Sequence, residues 1–250
     1  VHDHIKLLAE GDVNIVLDQR LSFYLVSHES EVTEIWNSVV EKNDGQLYNA
    51  PLCFFSGVEP CGNKWVMRVF FGEYRHFVAQ RNGLELGLTP LGVSGVVLCK
   101  VEDEYCAVIG TRSESVTLYP RALEFVPSGG VDDTALISKE RVDPQCVLTK
   151  ELEEELGVPQ DAIQKIVPIA VVDDCVGGVV DLCYAIFLGD IHLLKKKWCA
   201  ENNDEYEAFE CVPLRNLQSW LRSTPPGSVV PTTMVLAKML KRVLALASLE

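Results

Sequence analysis

Positive charge is scarce in this chain. Its 250 residues carry 22 Lys and Arg against 36 Asp and Glu, a formal net charge of −14, so a nucleic-acid backbone would be repelled and no polymeric nucleic acid is expected as a partner. A small anionic ligand remains compatible if a metal ion or a few placed Arg and Lys offset that repulsion. Long apolar runs are missing as well. None approaches the roughly 18 residues a spanning helix needs, and the first thirty residues lack the apolar core of a secretory leader, so no membrane association is expected. The nine cysteines include no C-x-x-C pair, are odd in number and mostly interrupt apolar runs. That usage points to buried thiols in a reducing, cytoplasmic compartment and away from a disulfide framework or a zinc site. Internal repeats and low-complexity stretches are also lacking. What is present is apolar content of 48%, enough to fill the core of one large domain or two modest ones.

The chain divides into two patterns. Residues 1 to 90 read as a small α/β unit: strand-like Val13 to Leu17, an amphipathic helix over Ser30 to Glu41 with Val32, Ile35, Trp36 and Val39, then strand-like Leu52 to Phe55 and Trp65 to Phe71. The Gly- and Pro-rich stretch Gly87 to Gly92 reads as a joint. From residue 91 to 250 a second unit is expected. Val93 to Lys100 and Tyr105 to Ile109 form a hairpin pattern, Leu123 to Val126 a short strand, and Ser128-Gly129-Gly130 a break. Asp143 and Pro144 then start a helix whose apolar stripe is Val147, Leu148, Leu152 and Leu156, and Gly157 and Pro159 stop it. Ile166 to Val172 and Val179 to Leu188 make a second hairpin, Phe209 to Val212 a further strand, and Leu214 to Leu221 and Thr232 to Leu246 the last helices.

Within the best-punctuated helix, Glu151, Glu154 and Glu155 lie at i, i+3 and i+4 and share a face beside the leucine stripe. Like charges at this spacing repel, with Lys150 the nearby cation, so the set suits a divalent metal. Read by spacing alone, a solvated acidic face is the preferred explanation, because acidic surface helices are common. The string Lys150-Glu151-Leu152-Glu153-Glu154-Glu155-Leu156-Gly157-Val158 resembles the second half of the Nudix box, R-E-U-x-E-E-x-G-U with U apolar, with Lys150 in place of Arg. Gly129-Gly130 resemble the opening glycines of the box. Between Gly130 and Lys150 the sequence carries an insertion of six residues relative to the family, so the intermediate glutamate of the box has Glu140, Asp132 and Asp133 as open candidates.

The resemblance implies an α/β/α sandwich around a mixed sheet, preceded here by the small N-terminal α/β domain. It also implies magnesium, or manganese in its place, held by Glu151, Glu154, Glu155 and the Gly129 carbonyl. Looser likenesses at Glu31 to Trp36, Gly72 to Phe77 and Pro90 to Val93 are similar to the Nudix-type UDP-glucose pyrophosphatases of animals and their plant relatives. The implied activity is cleavage of a UDP-sugar to UMP and sugar 1-phosphate; ADP-ribose or another nucleotide sugar, or binding without turnover, are the alternatives. In that family a base to activate water often comes from a loop after the second hairpin. Here the loop from Ala200 to Ala208 offers Asp204, Glu205 and Glu207, with Glu205 matched by spacing and a solvated acidic loop as the alternative.

Other residues carry weaker signals. Arg112 and Arg121 follow and precede apolar strands where a guanidinium fits a phosphate, or sits simply at the surface. Tyr119 reads as a core tyrosine more than a base-stacking one, and Asp173-Asp174 as turn chemistry. Glu201 and Glu210 belong with the acidic loop, and His2 and His4 are expected to have no functional role.

Overall fold

The computed structural model describes residues 5–18, 25–45, 47–102, 104–138, 141–189 and 205–247. In chain order the elements are β1 (Ile5–Glu10), β2 (Val13–Leu17), α1 (Glu29–Lys42), β3 (Pro51–Cys61), β4 (Lys64–Glu73), α2 (Tyr74–Arg81), β5 (Thr89–Val101), β6 (Glu104–Arg112), β7 (Leu123–Phe125) and β8 (Ser128–Gly130). They continue as β9 (Leu136–Ser138), β10 (Arg141–Val142), α3 (Gln145–Leu156), β11 (Ile163–Asp174), β12 (Val179–Leu188), β13 (Tyr206–Pro213), α4 (Leu217–Ser223) and α5 (Pro231–Ala247).

Eleven strands form one mixed sheet whose longest path runs β1-β11-β12-β5-β3-β4-β2. β5 organises it. Over Leu91 to Leu98 it pairs in parallel with β12, at Gly92 to Ser94 it pairs with β8, at Leu98 to Val101 with β6, and at Thr89 and Pro90 with β3. The two faces follow from alternation along each strand. On β12, Val180, Leu182, Tyr184, Ile186 and Leu188 join the core under α3, whereas Cys183, Ala185 and Phe187 join the core under α5. On β5, Val93, Val97 and Cys99 go to the first face and Val96 and Leu98 to the second. Helices therefore cover both faces of a mixed sheet, the α/β/α sandwich that the sequence predicts.

α3 lies close against β5 because Gly95 has no side chain. A Cβ there would stand 2.6 Å from Pro127 Cδ, 2.9 Å from Ile186 Cδ1 and 3.2 Å from Leu148 Cδ1. Gly157 ends α3 with φ of +61°, and the Val158 N–H returns to the Leu152 carbonyl at 3.4 Å. At the other end the helix begins at Gln145, whose N–H donates to Asp143 Oδ1 at 3.1 Å across the already helical Pro144.

The elements before β5 pack α1 and α2 on one side of β3 and β4, around Val32, Phe54, Phe70 and Ala79. The opposite side sends Cys53, Met67 and Val69 into the core that also holds Val131 and Ala135. β1 adds to the edge of the main sheet by pairing with β11 from Ile5↔Asp174 to Glu10↔Ala170.

Several local expectations differ from what folds. Thr89 to Gly92, read as part of a joint, is the start of β5, because Pro90 tolerates a position where only its carbonyl is needed. Ser128-Gly129-Gly130, read as a break, is the short strand β8. Between β8 and α3 the chain forms β9 and β10, a two-stranded ribbon with Leu136, Ile137 and Ser138 exposed and Val142 buried in the core under α3, and α3 is seated beside β8. α2 was not expected: its burial of His76 depends on the Glu73 N–H donating to His76 Nδ1 at 3.0 Å, a polar contact no apolar periodicity announces. No described helix is long and apolar enough to cross a membrane. No disulfide links any two of the eight described cysteines.

Candidate active site

Three of the four glutamates of α3, Glu151, Glu154 and Glu155, meet three environments. Glu155 turns inward and is buried, its Oε1 accepting from the Ser128 N–H at 3.0 Å. Glu151 lies over Gly129, whose lack of a side chain makes the approach possible: a Cβ on Gly129 would overlap Glu151 Oε1. Glu154 is exposed and lies 3.9 Å from Lys150 Nζ, which also reaches Asp132 Oδ2 at 3.7 Å. Glu153 is exposed as well.

Glu155 belongs to a chain of polar contacts through the sheet end. Ser128 Oγ lies 3.2 Å from Tyr206 Oη, Tyr206 Oη donates to Glu124 Oε2 at 3.1 Å, and Arg112 Nη1 is ion-paired to the same carboxylate. Arg112 Nε donates to the Leu118 carbonyl at 3.1 Å, which fixes the plane of the guanidinium. Gly110 leaves room for the Tyr206 ring, since a Cβ there would lie 2.5 Å from its Cδ1. The Ser113 N–H donates to the Glu205 carbonyl at 2.7 Å and ties Glu205 beside Arg112.

These carboxyls repel one another, and Glu155 and Glu124 are buried, Glu151 is half-buried and Glu205 is exposed at the surface with its carboxyl turned toward the others, so their acidity is weakened. Burial, followed by the charges of Glu154 and Glu205, pushes Glu151 up to about 7. Burial raises Glu155 well above the ordinary carboxylate range, against the Ser128 hydrogen bond, with Glu205, Glu124 and Glu151 adding to the rise. Burial also raises Glu124 although Arg112 opposes it, and raises Glu205 in the same way. A set of carboxylates that costs free energy to ionise together is the donor chemistry a hard divalent cation relieves. Among the described residues no group of three or more carboxylate, imidazole or thiol side chains is placed to hold a metal ion by itself. A magnesium ion does not require one, because it keeps waters and takes phosphate oxygens into its shell.

A cavity of about 410 Å³ opens beside this set, within the range of small-molecule sites. Arg112, Glu124, Ser128, Gly129 and Glu205 line one part of it. Tyr74, Phe77 and Leu52, from the first ninety residues, and Tyr119, Asp174, Asp181 and Thr232 line the rest. Tyr119 Oη donates to Asp174 Oδ2 at 2.6 Å, and Asp174 Oδ1 accepts from the Val176 and Gly177 N–H groups, so this aspartate does serve its turn. Asp173 lies 3.9 Å from Lys6 Nζ.

The structure thus gathers Glu151, Glu155, Gly129, Arg112 and Glu205 at one site, with Glu154 on its outer rim. Arg121 stands apart: it is exposed, paired with Glu114, and not among the cavity-lining residues. Glu207 accepts from the Glu114 N–H at 3.1 Å, Glu210 is exposed on β13, and Asp133 is exposed beside the short 3-10 turn after β8. Glu140, Glu201, Asp204, His2 and His4 lie outside the described residues. Sequence reasoning missed Glu124, Tyr206, Asp181 and Thr232. Its available signal was a carboxylate inside an apolar run, Leu123-Glu124-Phe125 and Val180-Asp181-Leu182, since buried strands admit a charge only when something holds it.

No protein-family model matches the chain, and no curated protein is similar to it. Solved structures to which it is similar include a mutT/nudix family protein from Listeria innocua, with a TM-score of 0.47 and 13% identity over 64% of this chain and 96% of that one. The NUDIX domain of Shewanella oneidensis NrtR complexed with ADP ribose has a TM-score of 0.44 and 17% identity, over 62% and 88%. The Ap4A hydrolase of C. elegans has a TM-score of 0.39 and 10% identity, over 64% and 98%.

Proposed function

We propose that this protein is a divalent-metal-dependent hydrolase of the Nudix type that cleaves the diphosphate of a nucleoside diphosphate linked to another group. A UDP-sugar, split to UMP and sugar 1-phosphate, is the leading substrate. The reading is carried by the seating of α3, with Glu151 on Gly129 and Glu155 on the Ser128 N–H; Gly129 and Ser128 both line the cavity. The glutamate spacing alone fits a solvated helix face; burial of Glu155 against β8 is what a solvated face would not do. The UDP-sugar assignment rests on the short N-terminal likenesses and on the cavity walls supplied by Tyr74 and Phe77.

Glu151, Glu154, Glu155 and the Gly129 carbonyl are the proposed metal ligands, and magnesium or manganese is the proposed ion. When bound, it would neutralise the diphosphate oxygens and acidify a water. The chain's own residues supply the rest. Ser128 and Gly129 hold the two inner glutamates in place, so their donors need little reorganisation. The Arg112 guanidinium, fixed by Glu124 and Leu118, offers its remaining N–H groups to phosphate oxygens. Glu205 is the proposed base, taking the proton of the attacking water; burial raises its carboxyl and brings it closer to the working pH of a base.

A panel of nucleoside diphosphate sugars, ADP-ribose and dinucleotides with magnesium, read by chromatography, tests the reading. Fastest release of UMP from UDP-sugars is expected. Preference for ADP-ribose would replace the substrate class, and tight binding with no products from any member would make the protein a nucleotide-binding module. Glu205→Gln is expected to lower turnover about 10²-fold with metal dependence intact, while Glu207→Gln changes it little. Equal small losses in both would remove Glu205 as the base.

A further inference from the structure

Asp181 is a carboxylate between Val180 and Leu182 on a strand buried on both sides, and neither the metal set nor Glu205 accounts for it. Its Oδ2 accepts from Thr232 Oγ1 at 3.1 Å, and the Ser94 hydroxyl is a second donor. A carboxylate has about four acceptor positions, so these two donors do not exhaust it. All three side chains line the cavity. Burial pushes the Asp181 carboxyl up to about 7, a standing cost that a further donor would offset.

Gly92 connects this group to the proposed diphosphate position. A Cβ on Gly92 would overlap Asp181 Oδ1 and lie 3.3 Å from the Gly129 carbonyl oxygen, so the two oxygens flank the same backbone position, and both residues line the cavity. A ligand group that contacts Asp181 therefore lies next to the proposed diphosphate position. Near it stand Asp174 and the Tyr119 hydroxyl, and the only cationic side chain among the described residues lining the cavity is Arg112, already paired with Glu124. Around Asp181 itself the surroundings supply acceptors and hydroxyls, which suit a neutral group bearing hydroxyls.

We propose that Asp181, supported by Thr232 and Ser94, recognises a neutral ring bearing adjacent hydroxyls attached to the diphosphate, by accepting hydrogen bonds from those hydroxyls. This deepens the hydrolase reading and rests on its placement of the diphosphate beside Gly129. Both the transferred glycosyl group and the nucleoside ribose carry that chemistry.

Calorimetric titration in calcium measures the recognition by affinity rather than turnover. The ligands are UDP-glucose, UDP methyl ester, which lacks the glycosyl hydroxyls, and the 2′,3′-dideoxyuridine form of UDP-glucose, which lacks the ribosyl ones. One truncated ligand is expected to bind at least about tenfold more weakly than UDP-glucose, and which one identifies the ring. Asp181→Asn, a neutral isostere suited to the buried position, is expected to weaken UDP-glucose about tenfold and that truncated ligand less than about twofold. Thr232→Val should show the same pattern in smaller measure and serves if the first variant does not fold. Equal affinity for all three ligands in the unaltered protein, equal losses for all three in the variants, or no binding of any ligand overturns the proposal. Absence of magnesium-dependent hydrolysis while the affinity pattern holds removes the hydrolase and leaves the recognition residue standing.

Discussion

Glu151, Glu155 and Asp181 hold their protons more tightly in the fold than in the unfolded chain, Glu151 and Asp181 to about 7. For a raised carboxyl the folded state binds more protons between the unfolded and folded values, so the sign is fixed: stability is full below about 4.5 and is lost as pH rises through about 7. The metal-free protein is therefore expected to melt at a higher temperature at pH 5.5 than at pH 8, with magnesium restoring most of the loss at pH 8. Melting curves with chelator and with magnesium check this; a metal-free midpoint that rises from pH 5.5 to pH 8 contradicts it. Glu155→Gln keeps an acceptor for the Ser128 N–H and removes the buried charge. It should raise the metal-free midpoint at pH 8 while lowering turnover about 10²-fold, a pairing expected of an ionic group kept for function. Glu154→Gln should lower turnover comparably without the gain in midpoint, because Glu154 is already exposed. Near-native turnover in either variant at saturating magnesium would remove it from the metal set, and Glu153→Gln is the neutral control.

At the scale of elements, the placement of α3 depends on a missing methyl group at Gly95. Gly95→Ala would press on Pro127, Ile186 and Leu148 at once, and overpacking of this kind costs about 1–3 kcal/mol. The melting midpoint should fall by roughly 2–10 °C, with activity falling further than stability because the helix carries Glu151 and Glu155. A midpoint and turnover unchanged from the parent would show that β5 and α3 accommodate the group. α3 is also where the sequence is most legible. Its leucine stripe, its Gly157 stop and its glutamate spacing are all local signals. β8 is not legible, since Ser-Gly-Gly becomes a strand only because β5 offers it a ladder. Asp181 and Glu124 are hidden for a related reason: Thr232, the partner of Asp181, and Tyr206, a partner of Glu124, come from distant segments, and no local window contains them.

For the whole molecule, the cavity and the core both draw on residues before β5. Removing the chain ahead of Leu88 would take away Leu52, Tyr74 and Phe77 from the cavity wall and uncover apolar groups packed against Cys53, Met67 and Val69. Such a fragment should be poorly soluble or lose nucleotide affinity; full activity with an unchanged Michaelis constant would show that the first ninety residues are dispensable. The pairing of β1 with β11 carries a consequence for synthesis. Ile5 emerges from the ribosome long before its partner Asp174 exists, and at about 5–20 residues per second that interval is on the order of ten seconds or more. Through it the nascent β1 has no ladder to complete. The edge of β11 that it will later cover stays open until this late docking, when main-chain donors and acceptors are most readily captured by another chain. The charges of Lys6 and Glu10 on the waiting strand are placed to discourage that capture, so replacing both with apolar residues should increase aggregation during expression far more than it alters the finished fold.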